Sequence, residues 1–238
     1  MPHEPLSPQE LDALRRYSTP SISNAIERFD VRPRHHGFTG PEIRCMFPEM
    51  PPIVGYASTA IVLAEQPAAA GRSPAVGDYW ESILSIPAPR IAVIQDIDQP
   101  CAIGSFWGEV NGNIHKALGC VGAVTNGGVR DLDEVRALGF QFLASAAIVS
   151  HAYVHLVDFG TPVKVGGLLV NPGDLVHADK HGAIVIPHEI AREVPAAVAE
   201  VERGERRIID CCQSADFSVE RLKEVMGLFR AEQAAGRR

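Results

Sequence analysis

Hydrophobic positions repeat at helical spacing near both ends of the chain and at strand spacing through its middle. Leu11 and Leu14 follow Ser7-Pro8-Gln9-Glu10, in which Ser7 can cap, Pro8 suits the first helical position and Glu10 completes a capping box. A helix is therefore predicted there. Ile22, Ala25, Ile26 and Phe29 predict a second short helix starting near Ser21, and the Pro-, Gly- and His-rich stretch 32–52 reads as loop. Residues 54–63 read as a strand, 78–84 as a short helix and 91–97 as a buried strand. Residues 108–112 read as a turn into a helix carrying Ile114, Ala117 and Leu118. A short buried strand at 121–124 ends in Thr125-Asn126-Gly127-Gly128, a tight turn, before a helix with Leu132, Val135 and Leu138.

From Phe140 onward the pattern changes to short strands punctuated by Gly166-Gly167, Asn171-Pro172-Gly173-Asp174 and Lys180-His181-Gly182, which is hairpin chemistry. Residues 189–211 carry a long helical pattern with Pro195 inside it, so a kink or two separate helices are expected. A last helix covers 219–229, and the tail AEQAAGRR is expected to fray. With no internal repeat or low-complexity linker, the reading is one α/β domain over 1–238, with N-terminal helices at about 7–30 and C-terminal helices at about 189–230.

Composition narrows the function. The 238 residues are 46% hydrophobic and 21% charged, an ordinary globular balance. A net charge of −7 argues against broad capture of nucleic acid, and Arg203, Arg206 and Arg207, interleaved with Glu202 and Glu205, read as a solvated helix face. Cys45, Cys101, Cys120, Cys211 and Cys212 show no C-x-x-C spacing and read as reduced thiols. The start, MPHEPLSPQE, lacks the basic and apolar regions of a secretory leader, and no run reaches the roughly 20 apolar residues of a membrane span. A cytoplasmic protein without membrane contact is expected.

Two helix entrances carry candidate chemistry: Gly108-Glu109-Val110-Asn111 and Gly127-Gly128-Val129-Arg130-Asp131. Helix N-termini hold anions through free N–H groups. Facing one pocket, the first would offer backbone donors to a carboxylate. Arg130 would add a planar fork, and Glu109 and Asp131 hard oxygen ligands for a divalent cation. Asp131 with Glu134 three residues on is equally a capping box, and Arg130 alone is equally a surface ion pair. Both readings stay open at this level.

Glu109, twenty intervening residues and then Arg130-Asp131 resemble the acidic-x20-Arg-Asp signature of the RraA-like family, which includes the metal-dependent 4-hydroxy-4-methyl-2-oxoglutarate/4-carboxy-4-hydroxy-2-oxoadipate aldolases. The resemblance spans most of the chain, through STPSISNAIERF, PIVGYASTA, GCVGAVTNGGVRDLDEV and VGGLLVNPGDLVHADKHGAIVIP. Glu109 stands where the signature usually has Asp, and Asn126 where many relatives carry Asp, so Asn126 receives no catalytic role. The resemblance implies a layered α/β/α fold of the swivelling phosphohistidine-domain type, assembled as a homotrimer or hexamer with sites between subunits. It implies that Arg130 binds a small 2-oxo acid and its enolate, that Asp131 holds Mg2+ or Mn2+ directly and Glu109 through water, and that Gly108 with the amides of Val110 and Asn111 grips the substrate carboxylate. A neighbouring subunit would add an acidic residue, Glu205, with Glu202 as the rival. The implied activity is retro-aldol cleavage of a 4-hydroxy-2-oxo acid to pyruvate, with possible oxaloacetate decarboxylation. Some relatives instead bind and inhibit an RNA-degrading endonuclease without catalysis.

Schiff-base chemistry would need a lysine in an apolar pocket, and of Lys116, Lys164, Lys180 and Lys223, Lys164 alternates with Val163 and Val165 and should point to solvent. His177, Asp179 and His181 alternate with period two, yet Gly182 marks a turn, so the strand should break before His181 and a structural or interface role is expected. His151 and His155 have helical metal-site spacing in a context that favours strand.

Overall fold

A computed structural model describes residues 4–69 and 71–235. Helix α1 (Pro8–Arg15) starts on the expected capping box: Ser7 Oγ accepts the Glu10 N–H, and the Glu10 carboxylate accepts the Ser7 N–H at 2.7 Å. Helix α2 (Thr19–Ile26) begins two residues before the expected Ser21, because Ser18 accepts the Ser21 N–H and Pro20 lies in the first turn, where its missing N–H costs nothing. A 3-10 turn, Glu27–Phe29, extends it.

Strands β1 (Arg44–Cys45), β2 (Ile53–Leu63), β3 (Arg90–Asp96), β4 (Cys120–Thr125), β6 (Gln141–Ala144), β8 (His155–Phe159), β11 (Leu175–Asp179) and β12 (Gly182–Ile186) form one sheet in the order β1-β6-β4-β3-β2-β11-β12, with β8 also on β2. The stretch expected to be loop thus contains one short strand, β1. Strands β2, β3, β4 and β6 run parallel, and β11, β12, β8 and β1 join antiparallel. Helices α3 (Val76–Ser85), α4 (Glu109–Ala117) and α5 (Leu132–Leu138) lie in the crossovers between the parallel strands. Two small strand pairs complete the fold: β5 (Gly128–Val129) with β7 (Ala146–Ala147), and β9 (Val163–Val165) with β10 (Leu168–Val170).

Alternation along the strands divides the core. On β3, Ala92 and Ile94 pack with Tyr79, Ile83 and Val135 of the helices, whereas Ile91 and Val93 pack with Val163, Val165 and Val170 of the β9–β10 hairpin. Val54 and Tyr56 of β2, on the helical side, join Leu14, Ile22 and Val198. Helices therefore clothe one face, and the other curls around a strand-lined interior. The α/β class read from the sequence is what the chain adopts, as a mixed, nearly closed sheet.

Two of the three hairpin expectations hold: β9–β10 closes on Gly166-Gly167, both at positive φ, and β11–β12 on Lys180-His181, whereas Asn171-Pro172-Gly173-Asp174 is a turn that carries the chain from β10 to β11, strands of different sheets. Two helix expectations also fail. Residues 194–213 form one continuous helix, α6 (Val194–Gln213), because Pro195 sits in its first turn, where no hydrogen bond is lost. Gly112 lies inside α4 rather than in a turn, facing Val135 and Leu138 of α5 across a gap that would admit a Cβ in ordinary contact. The final helix, α7 (Val219–Ala235), runs past 229 through most of the tail expected to fray, and 236–238 lie outside the described residues. Among the described residues no helix is long and apolar enough to cross a membrane.

His177 and Asp179 tie α2 to β11. His177 Nδ1 lies 3.0 Å from Thr19 Oγ1 and Nε2 3.1 Å from Tyr17 O, while Asp179 Oδ2 accepts the Thr19 N–H at 2.9 Å. The strand does end before His181, which donates its backbone N–H to Asp179 Oδ1. Burial pushes His177 down to about 4, so it is neutral in the native state. The unfolded imidazole titrates near 6.5 and the native one far lower, so the stability that depends on the neutral ring is present above about pH 6.5 and is lost as pH falls toward 4, at up to about 1.4 kcal/mol per pH unit. Urea midpoints should therefore drop between pH 7 and pH 4.5, and His177→Gln should flatten that drop; an equal drop in the variant would remove His177 as its source.

Candidate functional site

The parallel strands end on one edge, at Asp96 of β3 and Thr125 of β4, and ligands of open α/β sheets bind beyond such carboxyl ends. Asn126 locks that edge: its Oδ1 accepts the Asp96 N–H at 2.8 Å and its Nδ2 donates to Asp96 O at 2.7 Å. An aspartate could not make the second bond. The Asp96 carboxylate in turn accepts the N–H groups of Asp98 and Ala102 at 2.9 and 2.7 Å, and burial pushes its pKa up. Asn126 thus has a structural task at this edge.

Beyond this edge three short segments lie side by side in parallel. Trp107 bridges Val129 of β5, and β5 pairs with β7 in the register Gly128↔Ala146 and Val129↔Ala147. Arg130 N–H donates to Trp107 O at 3.2 Å. Ser105 staples the first two segments, its Oγ lying 2.5 Å from Trp107 O and 2.8 Å from Gly128 O, with the hydroxyl proton shared between them. Gly108-Glu109, Arg130-Asp131 and Ile148-Val149 thus emerge together.

The structure brings Gly108, Glu109, Arg130 and Asp131 into contact. Asp131 Oδ2 accepts the Glu109 N–H at 2.9 Å and lies 3.7 Å from Arg130 Nε. This corrects the capping-box reading. Asp131 stands at the N-cap of its own helix in a left-handed conformation, φ 54 and ψ 48, and makes no side-chain cap there, so the carboxylate turns away from Glu134 and caps α4 instead. Gly108 is required for close approach: a Cβ on it would lie 2.4 Å from Asp131 Oδ2 and 3.3 Å from Arg130 Nε. Among the described residues, Asp131 Oδ1 and the two terminal nitrogens of Arg130 have no protein partner, and both side chains are about a third exposed.

The first turn of α4 presents Val110 and Asn111. Asn111 is held inward, its Nδ2 donating to Phe106 O at 2.5 Å and its carbonyl accepting from His115 Nδ1 at 2.7 Å. Because that carbonyl can only accept, His115 carries its proton on Nδ1 and accepts from Tyr79 Oη through Nε2 at 2.8 Å. Burial pushes His115 down to about 4 and the Tyr79 phenol up, so this bond joins neutral groups. The ring of Trp107, 4.6 Å from that of His115, closes the floor.

Other expected residues lie elsewhere in the chain. Glu205, on α6, accepts from Asn24 Nδ2 at 3.4 Å and lines a cavity of about 280 Å3 with Arg34 and Phe229, while Glu202 accepts from Ser21 Oγ. Within one chain neither joins Glu109 and Asp131. Among the described residues no group of three His, Cys, Asp or Glu is placed to hold a metal. Lys164 is exposed on β9, as its alternation implied, and His155 begins a strand. Ser105 and the 145–150 segment were not singled out by sequence; no periodic pattern marks them, and only their turn-forming serines hint at backbone bonding.

The family model described as RraA-like, Aldolase/RraA, matches residues 19–185. A Halalkalibacterium halodurans protein named "Putative 4-hydroxy-4-methyl-2-oxoglutarate aldolase" is 31% identical over 128 residues, 52% of this chain and 60% of that one. Protein DlpA of Legionella pneumophila is 26% identical over 129 residues, 53% of this chain and 20% of that one. The chain thus spans less than two thirds of either relative. Among solved structures, an uncharacterized protein from Pseudomonas syringae pv. tomato matches 94% of this chain and 97% of its own, with TM-score 0.73 and 25% identity. Streptomyces coelicolor RraAS2, described as an unusual member of the RNase ES inhibitor RraA family, shares the fold, with TM-score 0.68 and 23% identity over 86% of this chain and 98% of its own.

Asp131→Asn keeps an oxygen that can accept the Glu109 N–H and a side chain that tolerates the left-handed region, whereas Asp131→Ala loses both. In calorimetry Asp131→Asn should melt near the parent, and Asp131→Ala several degrees lower, for a cost of roughly 1–3 kcal/mol. Equal melting of the two variants would deny the cross-helix cap.

Proposed function

This chain belongs to the RraA-like family, and from that premise we propose that it is a divalent-metal-dependent carbon–carbon lyase that cleaves 4-hydroxy-2-oxo acids to pyruvate and a second oxo compound, and that can also decarboxylate oxaloacetate. The family includes both aldolases and RraA regulators. The observation that carries the enzyme reading is the pairing of Asp131 Oδ1 and the Arg130 fork, neither with a protein partner among the described residues, on one edge of the sheet beside the open first turn of α4.

The donor set suits a hard cation: carboxylate oxygens of Asp131 and, through water, Glu109 would hold Mg2+ or Mn2+, with Glu205 of a neighbouring copy as a further donor in a trimer or hexamer. Such an ion would polarise the carboxylate and C2 oxygen of the substrate. The N–H groups of Val110 and Asn111 at the start of α4, with Gly108 leaving room, receive the C1 carboxylate. Arg130 directs its terminal N–H groups at the C2 oxygen. When the C3–C4 bond breaks, its electrons move onto C3 and the C2 oxygen, and these charge-assisted bonds strengthen as the enolate forms. The C4 hydroxyl gives up its proton toward Glu109 by way of a water, leaving C4 as a carbonyl. Protonation of the enolate at C3 then yields pyruvate. Loss of carbon dioxide from oxaloacetate produces the same enolate, so one site serves both reactions.

Arg130→Ala and Asp131→Asn should each lower pyruvate release at least about a hundredfold with the fold intact, the loss of one transition-state donor or of the ion's anchor. Chelation should abolish turnover, and Mg2+ or Mn2+ should restore it, in a coupled pyruvate assay. Near-normal turnover in either folded variant rejects the assignment. Binding to an RNA-degrading endonuclease that survives chelation, without any turnover, would favour the regulator class.

A further inference from the structure

Ser105 takes no part in the chemistry proposed above, yet all three segments of the site edge are tied to it. Its backbone N–H donates to Ser150 O at 3.0 Å, which holds the segment beyond β7. Its Oγ accepts the Trp107 N–H at 3.1 Å and, as a donor, faces Trp107 O at 2.5 Å and Gly128 O at 2.8 Å. The residue is 3% exposed, so these bonds are made inside one chain and out of competition with water.

The joint that the hydroxyl closes is a slender one. Trp107 and Val129 meet at an isolated bridge, and the direct bond across it is the Arg130 N–H on Trp107 O at 3.2 Å. Ser105 Oγ adds a second link, from Trp107 to Gly128. Gly108 and the first turn of α4 follow Trp107 in the chain, and Arg130 follows Val129, so this joint fixes the spacing between the guanidinium and the amides of Val110 and Asn111. The two sides differ in their other supports. The α4 side keeps the His115 bond to the Asn111 carbonyl and the Asn111 Nδ2 bond to Phe106 O whatever happens at Ser105. The Arg130 side rests on β5, two residues long, and its pairing with β7. Removing the hydroxyl takes a donor from the carbonyl of buried Gly128, directly ahead of Val129 and Arg130.

We infer that Ser105 is a positioning residue for the reaction: its hydroxyl holds the segment that carries Arg130 at the distance from the first turn of α4 at which the guanidinium meets the developing enolate oxygen. This rests on the lyase reading above. Ser105 itself touches no substrate. A donor displaced by a fraction of an ångström loses more of its worth in the transition state than in the ground state, so turnover rather than affinity carries the effect.

The test is a double-mutant cycle read by coupled pyruvate release, with Mg2+ or Mn2+ present throughout. Ser105→Ala should lower kcat about tenfold or more and leave KM within about threefold. In the Arg130→Ala background the same change should cost less than about twofold, because no guanidinium remains for it to place. Equal losses in the two backgrounds, a loss that falls on KM alone, or an unchanged kcat in Ser105→Ala overturns the inference and leaves the lyase reading standing. Where Ser105→Ala does not fold, Ser105→Cys, of similar shape and a far weaker donor, takes its place in the cycle with the same expectations. A folded, metal-supplied parent that releases no pyruvate from 4-hydroxy-2-oxo acids or oxaloacetate overturns both.

Discussion

One hydrogen bond organises this molecule's functional edge: the Asp131 carboxylate accepts the first N–H of α4 across 22 residues of chain, at 2.9 Å. For that bond to exist, Asp131 adopts a left-handed backbone, Gly108 forgoes a side chain, and the 107, 129 and 147 segments align in parallel under the Ser105 staple. The bond also bears on the proposed chemistry. One carboxylate oxygen is spent on the helix start, which fixes the orientation of the other, and the arginine one residue earlier is swung over Gly108 into the same space. Structural capping and the proposed ligand chemistry would here share a single side chain.

The edge stands where it does because the parallel strands β3 and β4 end together, clamped by Asn126 on the backbone of Asp96. Behind it, Tyr79, His115 and Trp107 form a neutral, tightly packed floor that holds the first turn of α4 through the Asn111 carbonyl. The mobile part of any reaction is thereby confined to side chains in front of a rigid backbone frame. That is the arrangement in which preorganised donors are most effective.

Much of this was legible in the chain. The α1 capping box, the Gly166-Gly167 and Lys180-His181 hairpins and the buried strands follow local rules that the fold did not override. The trio Glu109, Arg130 and Asp131 was legible because charged groups at glycine-bearing helix entrances are conspicuous. What escaped were features decided by long-range partners. Asp131 and Glu134 have the spacing of a local capping box, yet a helix 22 residues away offered the better N–H. Pro195 resembles a breaker until the helix is seen to begin at Val194. Segments of two residues, such as β5 and β7, are too short for alternation to register, so the third wall of the site carried no periodic signal.

Helix α4 illustrates how far this dependence reaches. Its nine residues, EVNGNIHKA, include two asparagines and a glycine, among the poorest helix formers, and a helix that short is marginal in water even with good residues. Its cap comes from Asp131 and its packing partners, Val135 and Leu138, from the following helix. The helix therefore depends on its neighbours: only when β4 and β5 are laid beside β3 does it have anything to lean on. A ligand that grips its first amides would be felt along the whole helix, as slowed exchange with solvent.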